Sequence, residues 1–457
     1  MRRSGLLLLV AVSLASVALA STRPHYGGTL RLAMRNAPMS LDPADSSRPD
    51  TFLWRSLSRL VFDTLVVLDN RGLPQPSLSS SWHVDPGNQR WQFTIRRGVT
   101  FQDGTAVSVD TVAASLRAAN PNWKVFGTGE SVVIECDAPT PNLPAILALP
   151  RNAVAKRTSG KLAGSGPFFI SVFEPGKRLT LSARDDYWGG RAFLDTIEVE
   201  MGKSLQEQTI SLDLGKADVV EVAPDQARHA VLEGRRIQNS EPAELMMLVF
   251  SRDRQSAEDG KLRSALALSI DRNAMNGVLL QGGGEPAGTL LPNWMTGYAF
   301  LFPTAADLQR ARQMRGEVKL APAWSLGYDA SDPLARVITE RIALNARDAG
   351  LTLQPTNSAS PDIRLVRVPL ASLDAQVALA NLASKVGLAQ PVFTDDSANS
   401  LYVAENALLQ SQKAIPLLHL RSAAAISPRV KNWTEDRDGE WRLENVWLGP
   451  GIETEKP

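Results

Sequence analysis

Apolar and polar positions alternate along several stretches of this chain. Trp91, Phe93 and Ile95 alternate with Gln92, Thr94 and Arg96, which predicts a half-buried antiparallel strand. The same period of two runs through Thr29-Leu30-Arg31-Leu32-Ala33-Met34 after a glycine pair, through Leu179 and Leu181, and through Ile197, Val199 and Met201. Helical spacing appears elsewhere. Ser108 is placed to cap a helix whose Val109, Val112, Ala113 and Leu116 share a face, ending before Asn120-Pro121. Short helices with connecting strands are expected over 204–235.

The second half has a different rhythm. Residues 262–279 read as a helical pair with Asp271 capping the second member, and 317–328 as a strand. Asp332-Pro333 then supplies an N-cap and a first-turn proline, with Leu334, Val337, Ile338 and Ile342 as the apolar stripe. Gly350 ends that helix and Leu351-Thr352-Leu353 opens another strand. This is a βαβ unit, so the C-terminal region is expected to be α/β with a partly parallel sheet.

The N-terminus changes the picture of where the chain works. Arg2 and Arg3 precede an apolar run over residues 5–17, and Ala18-Leu19-Ala20 has the small-x-small form that signal peptidase accepts. The run is short for a bilayer, which needs roughly 20 apolar residues. No cysteine sits at the cleavage point, so residues 1–20 are expected to be a removed signal peptide, with no lipid anchor, and the location periplasmic. Ser21 would open a mature chain of 437 of the 457 residues, enough for two or three domains on a prior of roughly 100–200 residues each.

Composition adds mainly exclusions. Hydrophobic residues are 44% and charged residues 21% of the chain, with a formal net charge of +1 and no basic block, so nothing points to nucleic acid. The single cysteine, Cys136, is expected to serve as a small buried hydrophobe. The four histidines, His25, His83, His229 and His419, lack metal-ligand spacing. A Gly-x-Ser-x-Gly elbow, a phosphate-binding glycine loop and a dinucleotide fingerprint are all absent. No catalytic residue, metal or cofactor is therefore expected.

Several short pieces occur in a fixed order. They are Ser40-Leu41-Asp42-Pro43, Val61-Phe62-Asp63-Thr64-Leu65, Gly72-Leu73-Pro74, Ser81-Trp82, Gly98-Val99-Thr100-Phe101-Gln102-Asp103-Gly104, Gly164-Ser165-Gly166-Pro167-Phe168, Asp186-Tyr187-Trp188-Gly189-Gly190, Ile270-Asp271-Arg272 and Ala414-Ile415-Pro416-Leu417. Together they resemble the extracellular solute-binding proteins of the oligopeptide, dipeptide and nickel type. The resemblance implies a mixed α/β, two-lobed periplasmic binding protein with an extra domain inserted in the N-terminal lobe. It implies a first domain from 21–50 and 165–243, an insert over 51–164, a third domain over 244–422, and a segment over 423–457 returning to the first. Two apolar runs, 245–250 and 415–420, suit strands crossing between lobes. The implied function is a monomeric solute-binding subunit that closes on a small solute, with a peptide as one option, and delivers it to the permease of an ABC transporter whose ATPase is a separate chain. A sensory or protein-interaction module without transport is the alternative.

Site candidates follow from this reading. After Asp362-Ile363-Arg364-Leu365-Val366, peptide-binding members carry a Trp- and Asp-Pro-rich stretch that pairs with the ligand's amino terminus. This chain reads Arg367-Val368-Pro369-Leu370-Ala371-Ser372-Leu373-Asp374 instead. Asp374, Asp395 and Asp396 are candidate replacements, and Arg364, Arg367 and Arg421 candidate partners for a carboxylate. The ligand-binding residues expected are Trp294, Tyr298, Arg421, His419 and Ser40, with His419 also readable as a satisfied core histidine. Tyr187 and Trp188 are expected to pack.

Overall fold

The computed structural model describes residues 23–450 except 48, 49 and 159. The leader expected over 1–20 lies outside the described residues. Among them, no helix is long and apolar enough to cross a membrane.

A single eleven-stranded mixed sheet runs through the molecule. Its N-terminal half orders the strands Phe168–Glu174, Arg178–Ala183, Thr196–Glu200, Thr29–Ala33 and Val219–Val222. Its C-terminal half contains Ile237–Phe250, Ile363–Pro369, Ala323–Gly327 and Thr352–Thr356. The long strand Ala414–Ile426 joins the halves: its Ala423–Ile426 end pairs on one side with Val219–Val222, and on the other side it pairs antiparallel with Ile237–Phe250 from Ala414 to Ala425. The ladder between the two long strands shifts register between Asn239 and Glu244, around Pro242, which offers no N–H to it. The break falls where the chain passes from one core to the next.

The expected βαβ unit is present. Ala323–Gly327 and Thr352–Thr356 are parallel, joined by the helix Pro333–Asp348, and Asp332 accepts a hydrogen bond from the Leu334 N–H. Two details differ. The strand starts only at Ala323; Glu317, the first residue expected in it, is the C-cap of the helix Leu308–Gly316. The buried face of the long helix is Leu334, Ala335, Ile338, Ile342 and Ala346, and Val337 points to solvent at 45% exposure. Positions 334, 338, 342 and 346 repeat every four residues, which carries 337 off the stripe. The expected helical pair over 262–279 is Ala257–Ser269 followed by a short turn of helix, Arg272–Ala274, capped by Asp271.

A separate four-stranded antiparallel sheet holds Ser79–Val84, Arg90–Ile95, Ser131–Glu135 and Lys124–Thr128. Trp91, Phe93 and Ile95 face its core, against Val112 and Leu116 of the helix Val109–Ala119, which Ser108 caps. Cys136 ends this sheet half-buried, with burial pushing its thiol pKa up. The helix Phe52–Val61 packs in the core that surrounds the first strands. There Leu53, Trp54, Leu57 and Leu60 meet Leu30, Leu32 and Phe168. The core of the four-stranded sheet takes its first residue at Leu65.

Three of the ordered sequence pieces meet at one carboxylate. Asp63, 9% exposed, accepts hydrogen bonds from Ser165 Oγ at 2.8 Å, Tyr187 Oη at 3.0 Å and Trp188 Nε1 at 3.0 Å. Tyr187 and Trp188 are thus structural anchors. The turn that delivers Ser165 passes so close to the first core that a Cβ on Gly164 would lie 1.8 Å from the Val61 carbonyl oxygen. Gly164→Ala is expected to lose about 1–3 kcal/mol or more, since the obstructing atom is backbone. A urea midpoint within error of the parent would contradict this account of the turn.

Candidate functional site

A cleft beside the crossing strands holds about 630 Å³, a size suited to a small organic solute. One wall comes from the N-terminal half: Arg35 and Asn36 just after Thr29–Ala33, Asp50 to Leu53, and residues 221–226 after Val219–Val222. The other comes from the C-terminal half through Glu244, Asp329, Asp332, Arg367 and Lys385, and Arg421, Ser422 and Ala423 lie on the crossing strand between them.

Its polar groups are set by the elements that carry them. Arg367 extends from Ile363–Pro369 and bonds Glu244 on the neighbouring strand and Asp332 at 3.1 Å. Burial works against its charge, but the two carboxylates outweigh burial and hold the guanidinium firmly protonated. Asp332 therefore both caps a helix and braces a cleft cation. Arg421 bonds Glu285 at 2.6 Å and the Ser240 carbonyl at 3.2 Å. Two lining atoms, Asp225 Oδ1 and Ser422 Oγ, are buried with no hydrogen-bond partner among the described residues. Such groups are costly unless something else supplies the partner.

Arg55 lies buried behind the cleft wall, held by the lining residue Asp50. It is 1% exposed, grips Asp50 with two bonds of 2.7 and 2.6 Å, and donates to the Leu370 carbonyl of the opposite half. Beyond it lies a second cavity of about 290 Å³, bounded by Arg59, by the turn over 436–444 and by residues 371–373.

The residues singled out from sequence are placed as follows. Arg421 and Arg367 line the large cleft. Tyr298, Trp294, His419 and Ser40 do not belong to that lining. Tyr298 is 7% exposed, donates to Glu405 at 2.7 Å and packs against Phe302 and Tyr402. Trp294 Nε1 donates to the Pro242 carbonyl at 2.8 Å, under the Arg437 guanidinium 4.3 Å from its ring. His419 is 5% exposed, beside the backbone of Thr289 and Leu291, and burial pushes its pKa down to about 4. Ser40 Oγ accepts from the Asp42 N–H in a local turn. Asp374 caps the helix Ala375–Val386 and Asp395 caps a turn through the Ser397 N–H. Sequence reasoning missed Arg35, Arg55 and the acidic turn. The last had a visible signal, because Asp436, Asp438 and Glu440 alternate.

The helix Ala398–Gln410 explains Tyr298. Glu405, fully buried, accepts from the amides of Leu290 and Leu291 and from the Tyr298 hydroxyl. Tyr298→Phe is expected to cost about 1–2 kcal/mol of stability and to leave solute affinity unchanged. A selective loss of affinity at parental stability would instead put the ring in the binding site.

Residues 74–363 match the model of the bacterial extracellular solute-binding proteins, family 5. The chain belongs to this family. Among curated relatives, the probable D,D-dipeptide-binding periplasmic protein of Escherichia coli is 22% identical over 291 residues, 57% of this chain and 56% of that protein. The nickel-binding protein of Staphylococcus aureus is 22% identical over 242 residues, 49% of each. The matches span about half the length of these relatives. Solved structures extend the likeness of fold to nearly the whole chain. The Staphylococcus aureus nickel-binding protein in complex with Ni(L-His)2 gives a TM-score of 0.76 at 15% identity, covering 92% of this chain and 99% of that one. The Bacillus subtilis oligopeptide-binding protein in complex with a nonapeptide gives 0.75 at 17%, covering 94% and 100%. These relatives are solute-binding proteins, not enzymes, and the family is extracellular or periplasmic.

Proposed function

We propose that this chain is the solute-capturing subunit of an ABC transporter. It encloses a peptide-like solute in the 630 Å³ cleft and presents it to a membrane permease. The observation that carries the reading is the cleft's buried, partnerless polar atoms, Asp225 Oδ1 and Ser422 Oγ, beside the cations Arg35, Arg367 and Arg421. A solute donor would complete the orphan atoms, and a solute carboxylate would meet Arg35, since Glu244, Asp332 and Glu285 already hold Arg367 and Arg421. Arg421, alone of the five residues selected from sequence, is proposed as a contact.

The mobile units would be a first domain from 21–50 and 165–243 with 423–457, an insert, and a third domain over 244–422. The packing of Phe52–Val61 favours starting the insert near 65. The register break at Pro242 and the long pair Ile237–Phe250 and Ala414–Ile426 would form the hinge.

Native mass spectrometry on protein purified without denaturation tests this directly. One solute per chain is expected, released on unfolding. Readdition at about a hundred times Kd should stabilise by about 2.7 kcal/mol. An empty chain whose melting no small solute moves would overturn the reading.

A further inference from the structure

The second cavity has an unbalanced charge. Asp436, Asp438, Glu440 and Glu444 line it against Arg59 and Arg442, while Asp63 is already satisfied by its three donors. Arg59 sits 3.0 Å from Asp436 and 3.3 Å from Glu440, and Arg442 reaches Asp436 at 2.6 Å and Glu444 at 3.5 Å. Each guanidinium is thus already shared between two carboxylates. The remaining walls, from the insert through Val67, Pro76 and Leu149 and from the third region through Ala371, Ser372 and Leu373, bring no cation.

Two groups are left over. Asp438 is 8% exposed, and its carboxylate receives only the Glu440 N–H at 3.2 Å, with no side-chain donor among the described residues. Ser58, on the helix wall and 1% exposed, has a hydroxyl without a partner among those residues. A buried carboxylate with one backbone donor, answered otherwise only by the field of Arg55 and Arg59, is expensive, so the four acids of this cavity leave room for a further cation.

We infer that the chamber receives the positively charged end of the transported solute, an ammonium or guanidinium group. This rests on the proposed capture of a solute in the adjoining cleft. The two spaces are neighbours: Trp441 lines the cleft while Glu440 and Arg442 on either side of it line the chamber, and the buried Arg55 between them binds Asp50 of the cleft and lies in the field of Asp438 and Glu440 of the chamber. Among the described residues no three carboxylate, histidine or cysteine side chains are grouped to hold a metal ion, which favours an organic cation. The titration of the walls agrees. Burial pushes the Asp436 pKa up to about 6 even beside Arg59, and raises Asp438 and Glu440, each further raised by a neighbouring acid. Without a cation these groups keep protons at mildly acidic pH; a bound cation would displace them, so affinity should fall from pH 8 to pH 5.

The test uses protein stripped of solute by unfolding and refolding, and paired probes in calorimetry. The pairs are tripeptides with their N-acetylated counterparts, and arginine with citrulline. The charged member of a pair is expected to bind about tenfold tighter or more. Asp438→Asn combined with Glu440→Gln should bring the pair near parity while melting stays cooperative. Equal binding within pairs, or a preference that survives the double substitution, overturns the inference without needing any variant to misfold. A co-purified solute lacking a cationic group would also overturn it and leave the cleft reading standing. A chain that carries no solute and responds to no probe removes the cleft reading first.

Discussion

Replacing Arg55 by methionine is expected to lower unfolding free energy by about 3–5 kcal/mol, the range for removing one partner of a buried ion pair. Arg55 is 1% exposed at the centre of the helix Phe52–Val61, between Trp54 and Leu57 of the first core. Burial alone would lower its pKa, yet Asp50, Glu440 and Asp438 outweigh burial and fix the positive charge. Removing the guanidinium leaves those carboxylates facing one another and leaves the Leu370 carbonyl without that donor. Methionine keeps the stem's packing, so the loss reports on charge. Urea unfolding should show a lower midpoint with an unchanged slope. Adding Asp50→Asn should recover part of the loss, because one stranded carboxylate then disappears. A loss under about 1 kcal/mol would place Arg55 among ordinary surface ion pairs. The same residue joins the two halves of the molecule, so solute affinity should change as well, through the equilibrium between open and closed arrangements.

Much of the fold was legible because it depends on local periodicity. The alternation of Trp91, Phe93 and Ile95, the Ser108 cap and the Asp332-Pro333 helix start all describe backbone that the residues themselves dictate. The ordered pieces around 61–65, 164–168 and 186–190 could be read as a scaffold, but not why they travel together. Their reason is Asp63, whose donors come from positions more than a hundred residues away. Distance in sequence hides that kind of shared partner.

The site was harder. Aromatic residues in a turn-rich loop suggested ligand contact, and the structure gives Tyr298 and Trp294 hydrogen bonds within the protein instead. Neither pattern nor composition distinguishes an aromatic facing a cleft from one completing a core with its polar edge satisfied. Arg55 was invisible for the opposite reason. An arginine in an amphipathic helix reads as solvent-facing, whereas here Asp50, joined by the distant Glu440 and Asp438, holds its charge inside the protein. The alternating acids over 436–440 could have been noticed, since a hairpin closed by the Asp436 N–H to the Glu440 carbonyl gathers them at one place.

Those acids set the second large effect: the solute-free protein is expected to be more stable at pH 5 than at pH 8. Asp436 holds its proton up to about pH 6 when folded, against an ordinary 3.8. Between those values the folded chain binds more protons than the unfolded one, so its contribution is complete at low pH and lost as pH rises through about 6. At about 1.36 kcal/mol per pKa unit the full contribution, reached below pH 3.8, is about 3 kcal/mol, of which about 1.4 kcal/mol is present at pH 5. His419 opposes it. Its pKa falls from 6.5 to about 4 on burial, so the unfolded chain takes the proton first and stability drops as pH falls through that window, by a similar amount. The balance is therefore decided by the other acids. Glu435 is pushed up to about 7 by burial, and Asp438 and Glu440 are raised by burial and then by neighbouring acids. All three add to the Asp436 side between pH 5 and 7, against one histidine. Urea midpoints at the two pH values measure the sum. Asp438→Asn with Glu440→Gln should shrink the difference, and His419→Leu should widen it by removing the opposing group. A wild-type midpoint higher at pH 8 would mean that the acidic turn holds its charges without cost, and the empty chamber would then have no need of a cation.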